Sequence, residues 1–153
     1  MDFDDKLEEL FIDLPEPAAN VGPTVSAAVV GKTLHVGGVL PFSEGRIQYP
    51  GRAGVEVRLD NAKMAARFAA VTALAVARRE LGGTFAKVRR VVRVEGFVAC
   101  GADFRDHGKV IDGASELFAQ VFGPGGKHVR TAVGVASLPQ GACVEIAVTF
   151  ELK

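Results

Sequence analysis

The chain has 153 residues, of which 48% are hydrophobic and 24% are charged. These values are typical of a globular protein and exclude a disordered chain, so one domain is predicted over residues 1–153. The 18 basic residues balance 18 acidic ones, which argues against a dedicated nucleic-acid binder. No apolar run approaches the roughly 20 residues of a membrane span, and the acidic start lacks a targeting segment. We therefore expect a soluble cytoplasmic protein with no nucleic-acid or membrane partner.

The N-terminal part of the chain predicts a helix, a hairpin and a loop. Apolar residues at helical spacing follow acidic ones in residues 1–14, and two prolines end this N-terminal helix. Residues 25–36 form two β-prone runs separated by Gly31 and Lys32, the pattern of a hairpin. The segment 41–54 is polar and rich in turn residues, which predicts a surface loop.

The clearest helix is predicted over residues 61–81, which contain eight alanines. Asp60 is its expected N-cap, and Gly82 and Gly83 are its expected C-terminal stop. So many alanines would let the helix approach a sheet closely. Its apolar face is predicted to be traced by Met64, Phe68, Val71 and Ala75.

The second half of the chain predicts a strand over residues 88–100 and a helix over residues 110–122. The Gly-Pro-Gly-Gly segment 123–126 ends this helix, and strands follow at 129–136 and 143–152. After the N-terminal helix, the order is ββαβαββ. This order indicates an α+β fold in which two helices cover one face of a mixed sheet.

The last two strands carry the residues best suited to chemistry. Period two places Arg130 on one strand face beside Ala132, Gly134 and Ala136. A guanidinium beside such small side chains could bind a small anion through two hydrogen bonds. Glu145 lies on the face of its strand opposite the apolar residues and could orient water or move a proton. An exposed Arg–Glu pair is the alternative, and spacing alone favours it.

Cysteine and histidine show no metal-ligand or nucleophile motif. Cys100 and Cys143 lie in apolar runs, which predicts buried, reduced and non-catalytic thiols. His35, His107 and His128 are scattered, so surface or loop roles are expected for them. We therefore predict no metal site.

The spacing of these elements resembles a known family. Residues 130–139 (RTAVGVASLP), followed by Val144, Glu145 and Ile146, resemble the C-terminal signature of the YjgF family. That family is also called Rid, for reactive intermediate deaminase, and was formerly known as L-PSP endoribonuclease. Residues 22–23, 36–41 and 94–98 resemble further blocks of the family in the same order. The N-terminal helix and the long segment 104–130 are similar to a longer subgroup.

The resemblance implies a chorismate-mutase-like fold that assembles as a homotrimer with clefts between subunits. In the family, the arginine at the position of Arg130 binds the carboxylate of a small imino or enamino acid such as 2-aminoacrylate. A water near the glutamate matching Glu145 attacks the C=N carbon and releases ammonia, without a metal or organic cofactor. Gly38 would line the cleft, as would Thr24, which replaces the tyrosine common after Gly-Pro. Ala132 stands where a cysteine is often found.

The leading hypothesis is thus a deaminase of small enamine or imine carboxylates. The alternative is a non-catalytic trimeric module that binds small carboxylate metabolites. Both need Arg130, but only the deaminase needs Glu145 and turnover. A third hypothesis, an RNA-cleaving enzyme, is disfavoured by the zero net charge and by the lack of a histidine pair. The homotrimer would cover the sheet face without helices, expected to include Val25, Ala27, Val29 and the residues around Arg130.

Overall fold

A computed structural model describes residues 2–153. The helices are α1 (Phe3–Glu9), α2 (Leu59–Glu80) and α3 (His107–Phe122), and the strands are β1 (Ala27–Val30), β2 (Thr33–Val39), β3 (Phe42–Ser43), β4 (Arg46–Ile47), β5 (Val88–Ala99), β6 (Val129–Val135) and β7 (Val144–Leu152). Five strands form one sheet in the order β1-β2-β7-β5-β6, and β3 pairs with β4. The predicted α+β order and the N-terminal helix are confirmed.

The sheet is mixed, and its parallel pair consists of β5 and β6, the two strands that α3 connects. The strands β1, β2, β7 and β5 pair antiparallel in that order, whereas β5 and β6 pair in parallel. A parallel pair requires a crossover connection, and α3 supplies it. In the strand order, β6 is an edge strand and β7 is the middle strand of the sheet.

The two long helices pack on one face of the sheet. The side chains of β7 that face them are all buried: Val144, Ile146, Val148, Phe150 and Leu152. The alternate residues of β7, from Glu145 to Glu151, are partly exposed on the opposite face. We call this opposite side the open face. None of the helices within residues 2–153 is long and apolar enough to cross a membrane.

The predicted apolar face of α2 was correct at Ala75, which is buried, and wrong at Met64, while Phe68 and Val71 are partly buried. All eight alanines of α2 are buried, whereas Met64 is 44% exposed. Small side chains allow α2 to lie close to both the sheet and α3, so the alanines set its orientation and the larger residues lie at the margins. A side chain at Gly113 of α3 would collide with the backbone carbonyl of Lys63, which shows how closely the two helices approach.

Several element ends differ from the sequence prediction. Helix α1 stops at Glu9, because Phe11 takes a left-handed φ of 56° and turns the chain. Helix α2 begins at Leu59, earlier than predicted, so Asp60 lies inside its first turn and Arg58 is the N-cap residue. The predicted loop 41–54 contains the short β3–β4 hairpin.

Two expectations about which residues lie on the open face were also wrong. Ala27 is buried on the helix side, opposite Val36 of β2, and Val29 shares that side through its pairing with Leu34. Arg130 likewise contacts α3. The open face is instead formed by the residues of β5, β6 and β7 that alternate with the core positions.

Candidate functional site

Glu145 lies on the open face in the middle strand of the sheet. It is directly opposite Phe97 of β5, which is in turn paired with Val133 of β6. The Glu145 side chain is only partly exposed, and this burial raises the pKa of its carboxyl above the ordinary value of 4.5. A carboxylate with a raised pKa accepts a proton more readily than an ordinary one.

Gly38 provides the surface against which the Glu145 carboxylate lies. Strand β2 changes register between Val36 and Val39, and Gly38 falls inside this irregularity. A Cβ atom at Gly38 would lie 2.6 Å from Glu145 Oε1 and 2.9 Å from its Cδ. Only glycine leaves room for this approach, so the structure brings together two of the predicted site residues.

Thr24 lies in a groove beside Gly38. The groove has a volume of about 860 Å³ and is bounded by residues 15–26, the end of β2, the β3–β4 hairpin and α2. Arg79 of α2 holds its outer wall in place by donating hydrogen bonds to the Pro17 and Ala18 carbonyls. The same guanidinium also donates to Ser26 Oγ at 2.9 Å. Thr24 and Gly38 therefore border one concave surface.

Arg130 lies elsewhere, on the edge strand β6, and faces α3. Its Nη1 donates to Asp112 Oδ1 at 2.7 Å and to Ser115 Oγ at 3.2 Å, and its side chain is 27% exposed. The prediction that only small side chains surround Arg130 was wrong, because α3 packs over this face of β6. The predicted alternation along β6 itself is present.

A polar chain behind Arg130 fixes its orientation. The Gly126 carbonyl can only accept, so His128 Nδ1 donates to it at 2.7 Å, and in this tautomer of the neutral imidazole Nε2 accepts from Ser115 Oγ at 2.9 Å. Ser115 therefore donates to His128 while it accepts from Arg130. The sequence offered no signal for this network, because its members belong to α3, β6 and the segment between them.

Cys100 and His107 form a second polar pair that the sequence prediction missed. Cys100 is only partly buried, and its Sγ lies 3.5 Å from His107 Nε2. The expectation of a buried Cys100 was therefore wrong, and His107 is half-buried at the first residue of α3. Cys143 is buried as predicted, and burial raises the pKa of its thiol to about 11. Within residues 2–153, no group of three or more metal-ligating side chains is arranged to hold a metal ion.

The comparisons with known proteins define the family. Residues 4–151 match the family described as "YjgF/chorismate_mutase-like, putative endoribonuclease". The chain belongs to this YjgF family, and its sheet with two covering helices is the chorismate-mutase-like fold. The resemblance seen in residues 130–146 is thus confirmed.

Three relatives illustrate the similarity. Protein TCP17 of Trypanosoma cruzi is 37% identical over 148 residues, which cover 96% of this chain and 92% of that protein. The crystal structure of an Agrobacterium tumefaciens protein of unknown function is 40% identical, with a TM-score of 0.91 over 99% of this chain and 92% of the other. A structure from Shewanella oneidensis MR-1, described as a putative endoribonuclease, is 26% identical with a TM-score of 0.93, over 99% of this chain and 100% of the other.

Proposed function

We propose that this protein is a hydrolytic deaminase that converts small enamine or imine carboxylates, similar to 2-aminoacrylate, into 2-oxo acids and ammonia. The resemblance of residues 130–146 to the signature of the family also called reactive intermediate deaminase supports this reaction class. The observation that carries the proposal is the Glu145 carboxyl, which lies against the Gly38 backbone with a raised pKa. The site needs no cofactor for this chemistry, because imines hydrolyse spontaneously and a protein need only position and polarise them.

Arg130 binds the substrate carboxylate in this proposal. Asp112 and Ser115 both engage Nη1, so Nε and Nη2 have no side-chain partner within residues 2–153. These two nitrogens can donate parallel hydrogen bonds to the two oxygens of a carboxylate. Asp112 offsets part of the guanidinium charge, and its main effect is to hold the guanidinium plane in one orientation.

Glu145 acts on water. Its carboxylate accepts a proton from the water that attacks the C=N carbon; as the C–O bond forms, the C=N π pair moves to nitrogen, which takes that proton from Glu145. In the resulting carbinolamine the hydroxyl proton passes to nitrogen through the same carboxylate, the C=O bond forms, the C–N bond breaks and ammonia leaves. Gly38 keeps the carboxylate against the sheet and away from the substrate carboxylate, which limits like-charge repulsion.

Two copies of the chain complete the site. Arg130 and Glu145 lie on opposite faces of the sheet and two strands apart, roughly 10 Å along the hydrogen-bonding direction. A two- or three-carbon acid cannot reach both within one protomer. We therefore assign Arg130 and Glu145 of each site to neighbouring subunits of a homotrimer, as the family resemblance implies, with the open face in the interface.

Imine hydrolysis measured above the buffer background tests this function. An amino-acid oxidase generates the imine in the assay, and the release of ammonia or 2-oxo acid is followed with and without the protein. A rate that rises in proportion to protein concentration is expected. Binding of a 2-oxo acid without any added rate would instead identify a non-catalytic carboxylate-binding module.

A further inference from the structure

Cys100 and His107 are brought together over a glycine of the edge strand. Cys100 follows β5 and His107 is the first residue of α3, and Cys100 Sγ lies 3.5 Å from His107 Nε2. A Cβ atom at Gly134 would lie 2.6 Å from His107 Nε2 and 2.8 Å from Cys100 Sγ. The pair thus occupies the space that the absent Gly134 side chain leaves.

The imidazole is held in place and can take the thiol proton. The Phe104 ring packs edge-on against His107, with a centroid distance of 5.3 Å. Both Cys100 and His107 are half-buried, so small molecules can reach them. A thiol in hydrogen-bond contact with an imidazole is the arrangement of an activated nucleophile.

The Arg130 guanidinium lies beside the same turn of α3. A Cβ atom at Gly108, the residue after His107, would lie 3.1 Å from Arg130 Nη2. Arg130 and Gly134 also share one face of β6, with the small residue Ala132 between them. One edge of the protein therefore presents a cationic group and a thiol–imidazole pair side by side.

We propose that Cys100, His107 and Arg130 form a covalent site for small electrophilic carboxylates, such as α,β-unsaturated or α-halo acids. Arg130 binds the carboxylate, and Cys100 attacks the electrophilic carbon. The site shares Arg130 with the proposed function but uses neither Glu145 nor imine hydrolysis. Cys143 takes no part, because it is fully buried in the core.

Cys100 would add to an α,β-unsaturated acid and would displace the halide of an α-halo acid. With an α,β-unsaturated acid, His107 takes the thiol proton and sulfur bonds to the β-carbon. The π pair then moves to the α-carbon, which receives the proton from His107. With an α-halo acid, His107 takes and keeps the thiol proton, the S–C bond forms as the C–halogen bond breaks, and the halide leaves with the electron pair.

Alkylation by iodoacetate and iodoacetamide tests the proposal, because the two reagents share an electrophilic carbon and differ in charge. The labelling rate at Cys100 is measured by peptide mass in the folded protein and in the protein unfolded in denaturant. We expect the iodoacetate-to-iodoacetamide rate ratio to be roughly tenfold or more higher in the folded protein. Equal ratios in the two states, or an unlabelled Cys100 in the folded protein, would overturn the proposal.

Three variants assign the effect to residues. Arg130→Gln should slow iodoacetate more than iodoacetamide and return the ratio to its unfolded value, and His107→Gln should slow both reagents. The control Arg105→Gln removes an exposed charge two residues before His107 and should leave the ratio unchanged. If Arg105→Gln abolishes the preference and Arg130→Gln does not, the assignment to Arg130 is wrong. Imine hydrolysis is assayed separately, so loss of one result leaves the other standing.

Discussion

Arg130 and Glu145 face opposite sides of the same sheet. Arg130 is in register with Val94, which is paired with the buried Val148, so all three point toward the helices. Glu145 is paired with Phe97 on the open face. Under the proposed function, in which Arg130 binds the substrate carboxylate and Glu145 is the general base, the two residues of one site therefore come from two copies of the chain.

Arg130→Ala should weaken the binding of a small 2-oxo acid such as pyruvate. The loss of a bidentate charge-assisted pair costs about 2–4 kcal/mol, which is roughly a hundredfold in the dissociation constant. Arg130→Lys should recover little of this, because an ammonium cannot reproduce the two parallel bonds. Isothermal titration checks both variants.

A matched control for Arg130 is Arg89→Ala. The Arg89 side chain is 57% exposed and pairs with Glu151, and Arg89 lies five residues before Val94, the partner of Arg130, along β5. The Arg89→Ala variant should bind the 2-oxo acid as tightly as the wild-type protein does. Unchanged binding in Arg130→Ala would place the carboxylate site elsewhere.

Glu145→Gln should lower turnover and leave the binding of 2-oxo acids nearly unchanged. The amide keeps the size and polarity of the side chain, but it cannot accept the water proton. The coupled imine assay and a titration with pyruvate, run in parallel, separate the two effects. Glu80→Gln, at the exposed end of α2, is the surface control, and an equal loss of turnover there would remove the assigned role from Glu145.

Glu145 should also make stability depend on pH. Because its folded-state pKa is raised above 4.5, the folded protein holds this proton more tightly than the unfolded chain does. Its contribution to stability is full below pH 4.5 and is lost as the pH rises through the raised pKa. We therefore compare the melting temperatures of Glu145→Gln and of the wild-type protein. The difference, variant minus wild type, should increase as the pH rises from about 4 to about 7. A difference that shrinks over this range would contradict the burial of the carboxyl.

Gly38→Ala should impair turnover more than Gly37→Ala, although the two glycines are adjacent. A methyl group at Gly38 would press on the Glu145 carboxylate at 2.6 Å, whereas at Gly37 its nearest neighbour is the Ser26 carbonyl at an ordinary 3.5 Å. We expect Gly38→Ala to displace Glu145 and lower the rate of imine hydrolysis roughly tenfold or more. Equal rates in the two variants would show that the approach of Glu145 to Gly38 has no catalytic importance.

Much of the fold could be predicted from the sequence, because its strands and helices carry strong periodic patterns. The alternation along β7 assigned Glu145 to the open face before the sheet was assembled. The orientation of α2 could not be predicted in the same way. Its alanines and its larger apolar residues both form stripes, and only the close approach to α3 decides between them.

The relation between the site residues required the assembled sheet. Alternation along β6 places Arg130 and Thr131 on opposite faces of the sheet. Which of the two faces the helices is determined by the pairing of β6 with β5. The contact between Cys100 and His107 depends on where α3 begins and on the absence of a side chain at Gly134. Neither condition is visible as a spacing in the sequence.

Mixing two inactive variants tests most directly whether the site lies between subunits. Arg130→Ala and Glu145→Gln are each purified, shown to be inactive, unfolded together in equal amounts and refolded. If Arg130 of one subunit works with Glu145 of its neighbour, about a quarter of the sites in randomly mixed trimers combine both intact residues, and activity should return to about a quarter of that of the unchanged protein. If the mixture stays as inactive as the separate variants while light scattering shows mixed oligomers, the shared site is contradicted.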